Sequence, residues 1–119
     1  MRRDIRLLLI ESNNQVAAAV TALLHDRGIQ VEVIDDPNRA AAAVERYAPD
    51  VVIFDLPPND GREELQKIRS RWPELPIIIV SGDRPDVQPL LQGNRTEFLA
   101  KPFDGDTVMR AIHRLIQSR

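Results

Sequence analysis

Five polar residues of this chain carry the functional groups that a phosphoryl transfer needs: Glu11, Ser12, Asp55, Ser81 and Lys101. The Asp55 carboxylate can act as a nucleophile, and the Glu11 carboxylate offers hard oxygen atoms to a divalent cation. The Ser81 hydroxyl and the Lys101 ammonium can donate hydrogen bonds to phosphoryl oxygens. Each residue type is common, so this chemistry requires a fold that brings the residues together.

Asp55 occupies the most informative position of the set. The apolar run 51–54 precedes it, and a proline-rich turn, 56–61, follows it. Such a run between turn formers predicts a parallel strand buried on both faces, and open α/β sheets bind ligands at the carboxyl ends of their strands. An aspartate here can also serve only as a hydrogen-bond acceptor within the turn, so Asp55 alone does not decide the function.

Apolar runs and capping residues predict strands that alternate with helices along the chain. Predicted strands 1 to 5 cover residues 5–10, 29–34, 51–54, 76–80 and 97–100. Predicted helix 1 begins at a cap on Ser12 or Asn13, helix 2 at Asp36, helix 3 near Arg62, helix 4 near Pro85 and helix 5 at Asp104. Short loops between such elements imply right-handed crossovers and a doubly wound parallel sheet. We therefore expect one α/β domain over residues 1–119, with the polar residues at one edge.

The predicted helices differ in regularity. Helix 3 should bury Leu65 and Ile68, and Trp72 with the following proline should end it. Helix 4 should be short, kinked or partly replaced by loop, because Pro89 lies one turn after Pro85 and removes an interior hydrogen bond. The buried stripe of helix 5 should consist of Val108, Ala111, Ile112, Leu115 and Ile116.

Composition excludes several classes of protein. The chain has no cysteine, so a disulfide framework, a thiolate metal site and a cysteine nucleophile are all excluded. Sixteen basic and eighteen acidic residues give a net charge of −2 without long blocks of one sign, which does not indicate direct nucleic-acid binding. The apolar runs are too short to span a membrane, and no signal-peptide core follows the first residues. We expect a cytoplasmic protein.

The whole chain resembles the receiver domain of bacterial two-component response regulators. The shared motifs are the segment 7–11, Asp55 with the turn up to Gly61, the Ser81-Gly82 pair, and the segment Phe98-Leu99-Ala100-Lys101-Pro102-Phe103, which is the most specific. The resemblance implies a flavodoxin-like sheet of five parallel strands in the order 2-1-3-4-5 with five helices.

The resemblance also implies roles for individual residues. Asp55 matches the phosphoacceptor, which receives its phosphoryl group from a histidine kinase or a histidine phosphotransfer protein. Ser81 and Lys101 match the residues that contact that group, and Phe98 matches the aromatic residue whose rotamer follows the movement of Ser81. Glu11, Asp55 and the backbone carbonyl of Pro57 match ligands of Mg²⁺. Beyond phosphorylation and dephosphorylation of Asp55, the likeness implies no enzymatic activity.

Two departures from the family pattern concern the metal. The family usually places two adjacent acids after strand 1, and here they are Glu11-Ser12. The spacing from Asp55 to Asp60 is also shorter than usual, which can displace the Pro57 carbonyl. Because Mg²⁺ demands near-ideal octahedral oxygen ligands, we expect a weakened divalent-metal site.

Alternative interpretations remain open. The chain can be a phosphorylation-independent pseudo-receiver that binds a downstream protein or a second copy through the face of helix 4, strand 5 and helix 5. In that case Glu11 and Ser12 cap helix 1, Lys101 is only an ion partner of Asp55, and Phe98 belongs to the core. A flavodoxin-like cofactor binder is not favoured, because no phosphate-binding loop rich in glycine, serine or threonine follows strand 1.

Overall fold

The strands form one parallel sheet in the order 2-1-3-4-5 in the computed structural model, which describes residues 4–55, 62–81, 95–100 and 103–117. The strands are β1 (Arg6–Ile10), β2 (Gln30–Ile34), β3 (Val51–Asp55), β4 (Ile77–Ser81) and β5 (Thr96–Ala100). The predicted doubly wound, flavodoxin-like sheet is confirmed, and β3 lies at its centre between β1 and β4.

Four α-helices lie within the described residues. They are α1 (Asn14–His25), α2 (Ala40–Tyr47), α3 (Arg62–Arg71) and α4 (Gly105–Gln117). The helix α4 is the fifth helix predicted from the sequence. The predicted helix 4, with Pro85 and Pro89, lies outside the described residues. None of the described helices has the length and apolarity that a membrane crossing requires.

Side-chain caps start two of these helices, α1 and α4. Asn13 caps α1, since its Oδ1 accepts the backbone N–H groups of Gln15 and Val16 at 2.9 and 3.0 Å. Asp104 caps α4, and its Oδ1 accepts the N–H of Thr107 at 2.8 Å. This backbone hydrogen bond lowers the pKa of the Asp104 carboxyl.

The cap predicted on Asp36 starts a tighter helix than expected. Asp36 accepts the N–H of Asn38 at 2.9 Å and begins a 3₁₀ turn, Pro37–Arg39, which leads into α2. The expectation that Asp36 directly caps the α-helix is therefore wrong by one turn. Short 3₁₀ turns are frequent at the amino ends of α-helices, and Pro37 suits the first position because it has no N–H to leave unpaired.

Both faces of the sheet are buried, and successive residues of each strand point into opposite layers. Leu7, Leu9, Ile53, Ile78 and Val80 pack with α1 and α4, whereas Leu8, Ile10, Phe54, Ile77 and Ile79 pack with α2 and α3. The predicted contributions of Leu65 and Ile68 to this second layer are confirmed. The predicted stripe of α4 is also buried except at its last member, Ile116, which is only partly buried.

Candidate functional site

The carboxyl edge of the sheet brings three of the predicted site positions into line. Ile10 pairs with Phe54, so Glu11, the next residue, is level with Asp55 on the neighbouring strand. Asp55 pairs with Val80, which puts Ser81 one position further along β4. Adjacent strands lie roughly 4.8 Å apart, so these positions are first neighbours across the sheet.

Glu11 is buried although it carries a charge. Its side chain and backbone are only 6% exposed, and it is the one charged residue classed as buried within the described ranges. Its backbone N–H donates to the carbonyl oxygen of Ile34 at 3.0 Å, and its Oε2 accepts the N–H of Asn13 at 3.1 Å. A buried carboxylate needs such hydrogen bonds, and the amino end of α1 offers amides and a favourable dipole. Glu11 therefore interacts with the start of α1, in agreement with the alternative that it helps to cap this helix.

Ser12 does not cap α1. The side chain is exposed, and the cap position is held by Asn13, whose backbone is extended with φ −89° and ψ 114°. The carbonyl oxygen of Asn13 accepts the N–H of Ala17 at 2.9 Å, so the helical hydrogen bonds begin at Asn13. Of the two caps that the sequence allowed, the structure has Asn13. The alternative in which Ser12 is a cap is wrong, because Ser12 lies one residue before the cap position and two residues before the helix.

Asp55 is the first residue of β3 that reaches the surface. The four residues before it are between 0 and 1% exposed, whereas Asp55 is partly exposed. Its position at the end of a fully buried central strand gives the carboxylate a rigid support and an approach from solvent.

The described residues supply an incomplete set of metal ligands. Within 4–55, 62–81, 95–100 and 103–117, no group of three histidine, aspartate or glutamate side chains could hold a metal ion. Glu11 and Asp55 are two carboxylates, and the third predicted ligand, the Pro57 carbonyl, lies outside the described residues. The described donors therefore do not by themselves fit the six-oxygen shell of Mg²⁺.

Three further residues were predicted to belong to the site: Ser81, Phe98 and Lys101. The backbone of Ser81 ends β4 and pairs with Ala100, while its side chain and the whole of Lys101 are outside the described part of the chain. Phe98 pairs with Ile79 and is partly buried against the layer of α2 and α3. It thus has both a contact with the core and a contact with solvent.

Sequence reasoning missed Arg69, in the last turn of α3. Its guanidinium donates hydrogen bonds to the α3–β4 turn and to the start of β5. An arginine at the end of a helix is usually explained by the helix dipole alone. The distant backbone acceptors leave no local signal in the sequence.

The fold and the site together define a class of protein. It is a flavodoxin-like α/β domain with carboxylates at the ends of its first and third strands. The chain belongs to the response regulator receiver domain family, whose model matches residues 7–113. The family predicted from the sequence is confirmed. Receiver domains generally act as signalling modules of two-component systems rather than as enzymes, and they communicate with histidine kinases and downstream effectors.

Curated relatives support this assignment. The response regulator Rre1 of Synechocystis is 32% identical over 129 residues, which cover 98% of this chain and 53% of Rre1. The virulence transcriptional regulatory protein PhoP of Salmonella typhimurium is 26% identical over 117 residues, which cover 95% of this chain and 52% of PhoP. The chain thus spans about half the length of these two relatives.

Solved structures agree with the fold. The receiver domain of the sensor histidine kinase PA1611 from Pseudomonas aeruginosa superimposes with a TM-score of 0.84 at 29% identity, covering 98% of this chain and all of that domain (100%). That structure has a magnesium ion coordinated in the active site cleft. The chemotaxis protein CheY4 of Vibrio cholerae gives a TM-score of 0.81 at 24% identity, covering 95% of this chain and 99% of CheY4. The latter similarity shows the fold alone.

Proposed function

We propose that this receiver domain, over residues 1–119, accepts a phosphoryl group on Asp55 from a histidine of a kinase or of a histidine phosphotransfer protein. The observation that best supports the proposal is the register of the sheet, which sets Glu11, Asp55 and Ser81 at one edge of three neighbouring strands. The partial exposure of Asp55 on a buried central strand gives a donor access to its carboxylate.

The proposed transfer is a displacement at phosphorus. One carboxylate oxygen of Asp55 forms a P–O bond while the P–N bond to the donor histidine breaks. The electron pair of the broken bond stays on the imidazole nitrogen, which takes a proton from solvent. The product is an acyl phosphate on Asp55, and we propose that the Ser81 hydroxyl and the Lys101 ammonium donate hydrogen bonds to its oxygens.

We propose that the divalent-metal site of this chain is weakened. Mg²⁺, where bound, would be held by Glu11, Asp55 and the Pro57 carbonyl, and would neutralise charge on the phosphoryl oxygens. The Glu11 carboxylate already accepts the N–H of Asn13, and Ser12 offers an exposed neutral hydroxyl in place of a second acid. Both observations support a lower affinity for Mg²⁺ than a site with two adjacent acids would have.

The proposed output is a change at the face that the sequence predicts for helix 4 together with β5 and α4. When Asp55 is phosphorylated, Ser81 turns toward the phosphoryl group and Phe98 turns inward, which repacks this surface for a downstream protein or a second copy. This is a shift between two packed states of one chain. The partly buried position of Phe98 is consistent with two such states.

Mass spectrometry tests the proposal directly. The protein is incubated with Mg²⁺ and acetyl phosphate, and its intact mass is compared with that of Asp55→Asn treated in parallel. We expect the parent to gain one phosphoryl group and the variant to gain none. Equal gain in both proteins would place the acceptor elsewhere.

One observation favours a second candidate function. The Glu11 carboxylate accepts the N–H of Asn13 at the start of α1, which supports a capping role for Glu11 in a pseudo-receiver that binds partners without phosphoryl chemistry. Absence of any mass gain in the parent, together with no binding of beryllofluoride, would favour this module over the phosphoryl acceptor.

A further inference from the structure

The guanidinium of Arg69 connects two parts of the chain that are distant in sequence. It donates hydrogen bonds to five oxygen atoms within the described residues. From Nη1 these are the carbonyl oxygens of Trp72, Pro73 and Leu75 at 3.3, 2.9 and 2.7 Å, and from Nη2 the carbonyl oxygen of Arg95 at 3.2 Å and Oγ1 of Thr96 at 2.6 Å. Arg69 thus joins the α3–β4 turn to the first residue of β5 and the residue before it.

Hydrogen bonds to oxygen atoms hold Arg69 in this position. The side chain is partly buried, and desolvation lowers the pKa of its guanidinium; the nearby charge of Glu74 opposes this shift, and that of Arg95 adds to it. A guanidinium carries five N–H donors spread over a planar fork, whereas an ammonium carries three donors on one nitrogen atom. Lysine at this position therefore cannot reproduce the five bonds of Arg69.

The residue before β5 has an unfavourable conformation. Arg95 has φ 67°, in the left-handed region that residues other than glycine rarely adopt. Its guanidinium donates to the carbonyl oxygen of Leu115 in α4, and its buried Nε has no hydrogen-bond partner within the described residues. Such unfavourable features persist only where the surrounding structure fixes the backbone, and here Arg69 binds the Arg95 carbonyl.

Glu97, the second residue of β5, is bonded to α4. Arg114 forms two hydrogen bonds with the carboxylate of Glu97, from Nε at 3.1 Å and from Nη2 at 2.6 Å. Because side chains alternate along a strand, Thr96 and Phe98 point to the same face of β5. The Arg69 contact at Thr96 and the partly buried ring of Phe98 are thus two residues apart on the face toward α3.

We propose that Arg69 is a positioning residue that fixes the amino end of β5 against α3, so that the change at Ser81 moves only the carboxyl half of the strand with Phe98. This proposal rests on the proposed phosphoryl acceptance by Asp55. With the amino end fixed, the movement is directed into the contact between β5 and α4. Without Arg69, the whole strand can shift and the response at α4 becomes smaller.

The first experiment needs no phosphodonor. Arg69→Lys keeps the charge but loses the planar donor group, and Thr96→Val removes one acceptor with little change in shape. The matched control is Arg71→Lys in the same turn of α3, where Arg71 forms an exposed ion pair with Glu45 at 2.7 Å. Amide hydrogen exchange is measured at β5, with the amides of β1 and β3 as internal references.

We expect exchange at β5 to be about tenfold faster in Arg69→Lys and less accelerated in Thr96→Val, with β1 and β3 unchanged, since only a local opening is altered. The positioning role would be overturned if the β5 amides of Arg69→Lys and Thr96→Val exchanged no faster than those of Arg71→Lys. Uniform acceleration in every strand would also overturn it, because that result indicates a general loss of stability.

The second experiment measures coupling. Parent, Arg69→Lys and Arg71→Lys are phosphorylated, and the resulting chemical-shift changes at the amides of α4 are compared by NMR. We expect the extent of phosphorylation to be equal and the changes at α4 to be at least halved in Arg69→Lys alone. Undiminished changes at α4 would refute the coupling role. If the parent itself accepts no phosphoryl group, the proposed function fails, whereas the exchange experiment still decides whether Arg69 positions β5.

Discussion

The charge at the carboxyl edge of the sheet depends on two neighbouring residues, Glu11 and Ser12. Glu11 is buried and bonded to the N–H of Asn13, so its carboxylate is partly committed to α1. Ser12 is exposed and neutral. We therefore expect an acid at position 12 to raise the metal affinity of this receiver domain.

Ser12→Asp should strengthen Mg²⁺ binding by roughly tenfold, because it adds a negative charge and a hard oxygen ligand beside the cation. Isothermal titration calorimetry with Mg²⁺ measures the change. Ser12→Asn is the matched control, because the asparagine side chain has nearly the same shape as that of aspartate but no charge. An equal gain in both variants would contradict the electrostatic explanation, and no gain in either would assign the weakness to the turn 56–61.

Asp104 gives a second prediction at the residue scale. The Thr107 N–H lowers the pKa of this carboxyl in the folded chain, so ionised Asp104 favours folding above its unfolded pKa of about 4. This contribution is lost as pH falls through the lower pKa of the folded state. Asparagine caps helices equally well but does not titrate, so Asp104→Asn should lose less stability on acidification. Urea midpoints at a series of pH values test this, and parallel curves for both proteins would contradict it.

At the scale of elements, α1 offers a direct test of which residue caps a helix. Asn13→Ala should lower the free energy of unfolding by about 1 kcal/mol, because two backbone amides lose their acceptor. Ser12→Ala, its neighbour and control, should leave the free energy of unfolding unchanged. Urea denaturation followed by circular dichroism measures both. Equal losses in the two variants would show that both residues share the cap.

Local signals were sufficient to predict the elements. Helix α3 runs from Arg62 to Arg71 as expected, because the turn before it and Trp72 with its following proline mark both ends. The sequence did not decide whether Ser12 or Asn13 caps α1, since the cap residue depends on the backbone angles that follow β1 and Glu11. The helical segment expected around Pro85 and Pro89 remains a prediction.

The site was predicted less completely than the elements. Strand order and register place Glu11 level with Asp55. This agrees with the prediction that the polar residues at the carboxyl ends of the strands lie at one edge of the sheet. The hydrogen bond from the N–H of Asn13 to the Glu11 carboxylate could not be predicted from the sequence, because it depends on the rotamer of the buried Glu11 side chain. Arg69 escaped prediction altogether, since Arg95 and Thr96 are 26 and 27 residues away and four of its five acceptors are backbone carbonyl oxygens.

At the scale of the whole molecule, the two buried layers predict equal sensitivity on both faces of the sheet. Leu8 and Leu9 are neighbours in β1, are 0 and 1% exposed, and point into different layers. Leu8→Ala and Leu9→Ala should each lower the free energy of unfolding by about 2–5 kcal/mol. A sheet with one solvated face would instead tolerate one of the two changes.

Urea denaturation of these variants is compared with that of Val33→Ala in β2. Val33 is 39% exposed, so its truncation should cost less than about 1 kcal/mol. A small effect at either leucine would contradict the buried position of that face.

The strand order also determines which part of the molecule can open by itself. Among the described strands, β3, which carries Asp55, has paired neighbours on both sides, whereas β5, which carries Phe98, lies at the edge and pairs with β4 alone. Release of β5 breaks one ladder of hydrogen bonds, and release of β3 breaks two. The free energy of local opening therefore increases from the β5 edge toward the centre. The edge with Phe98 can open and reclose while the strand that supports Asp55 stays folded.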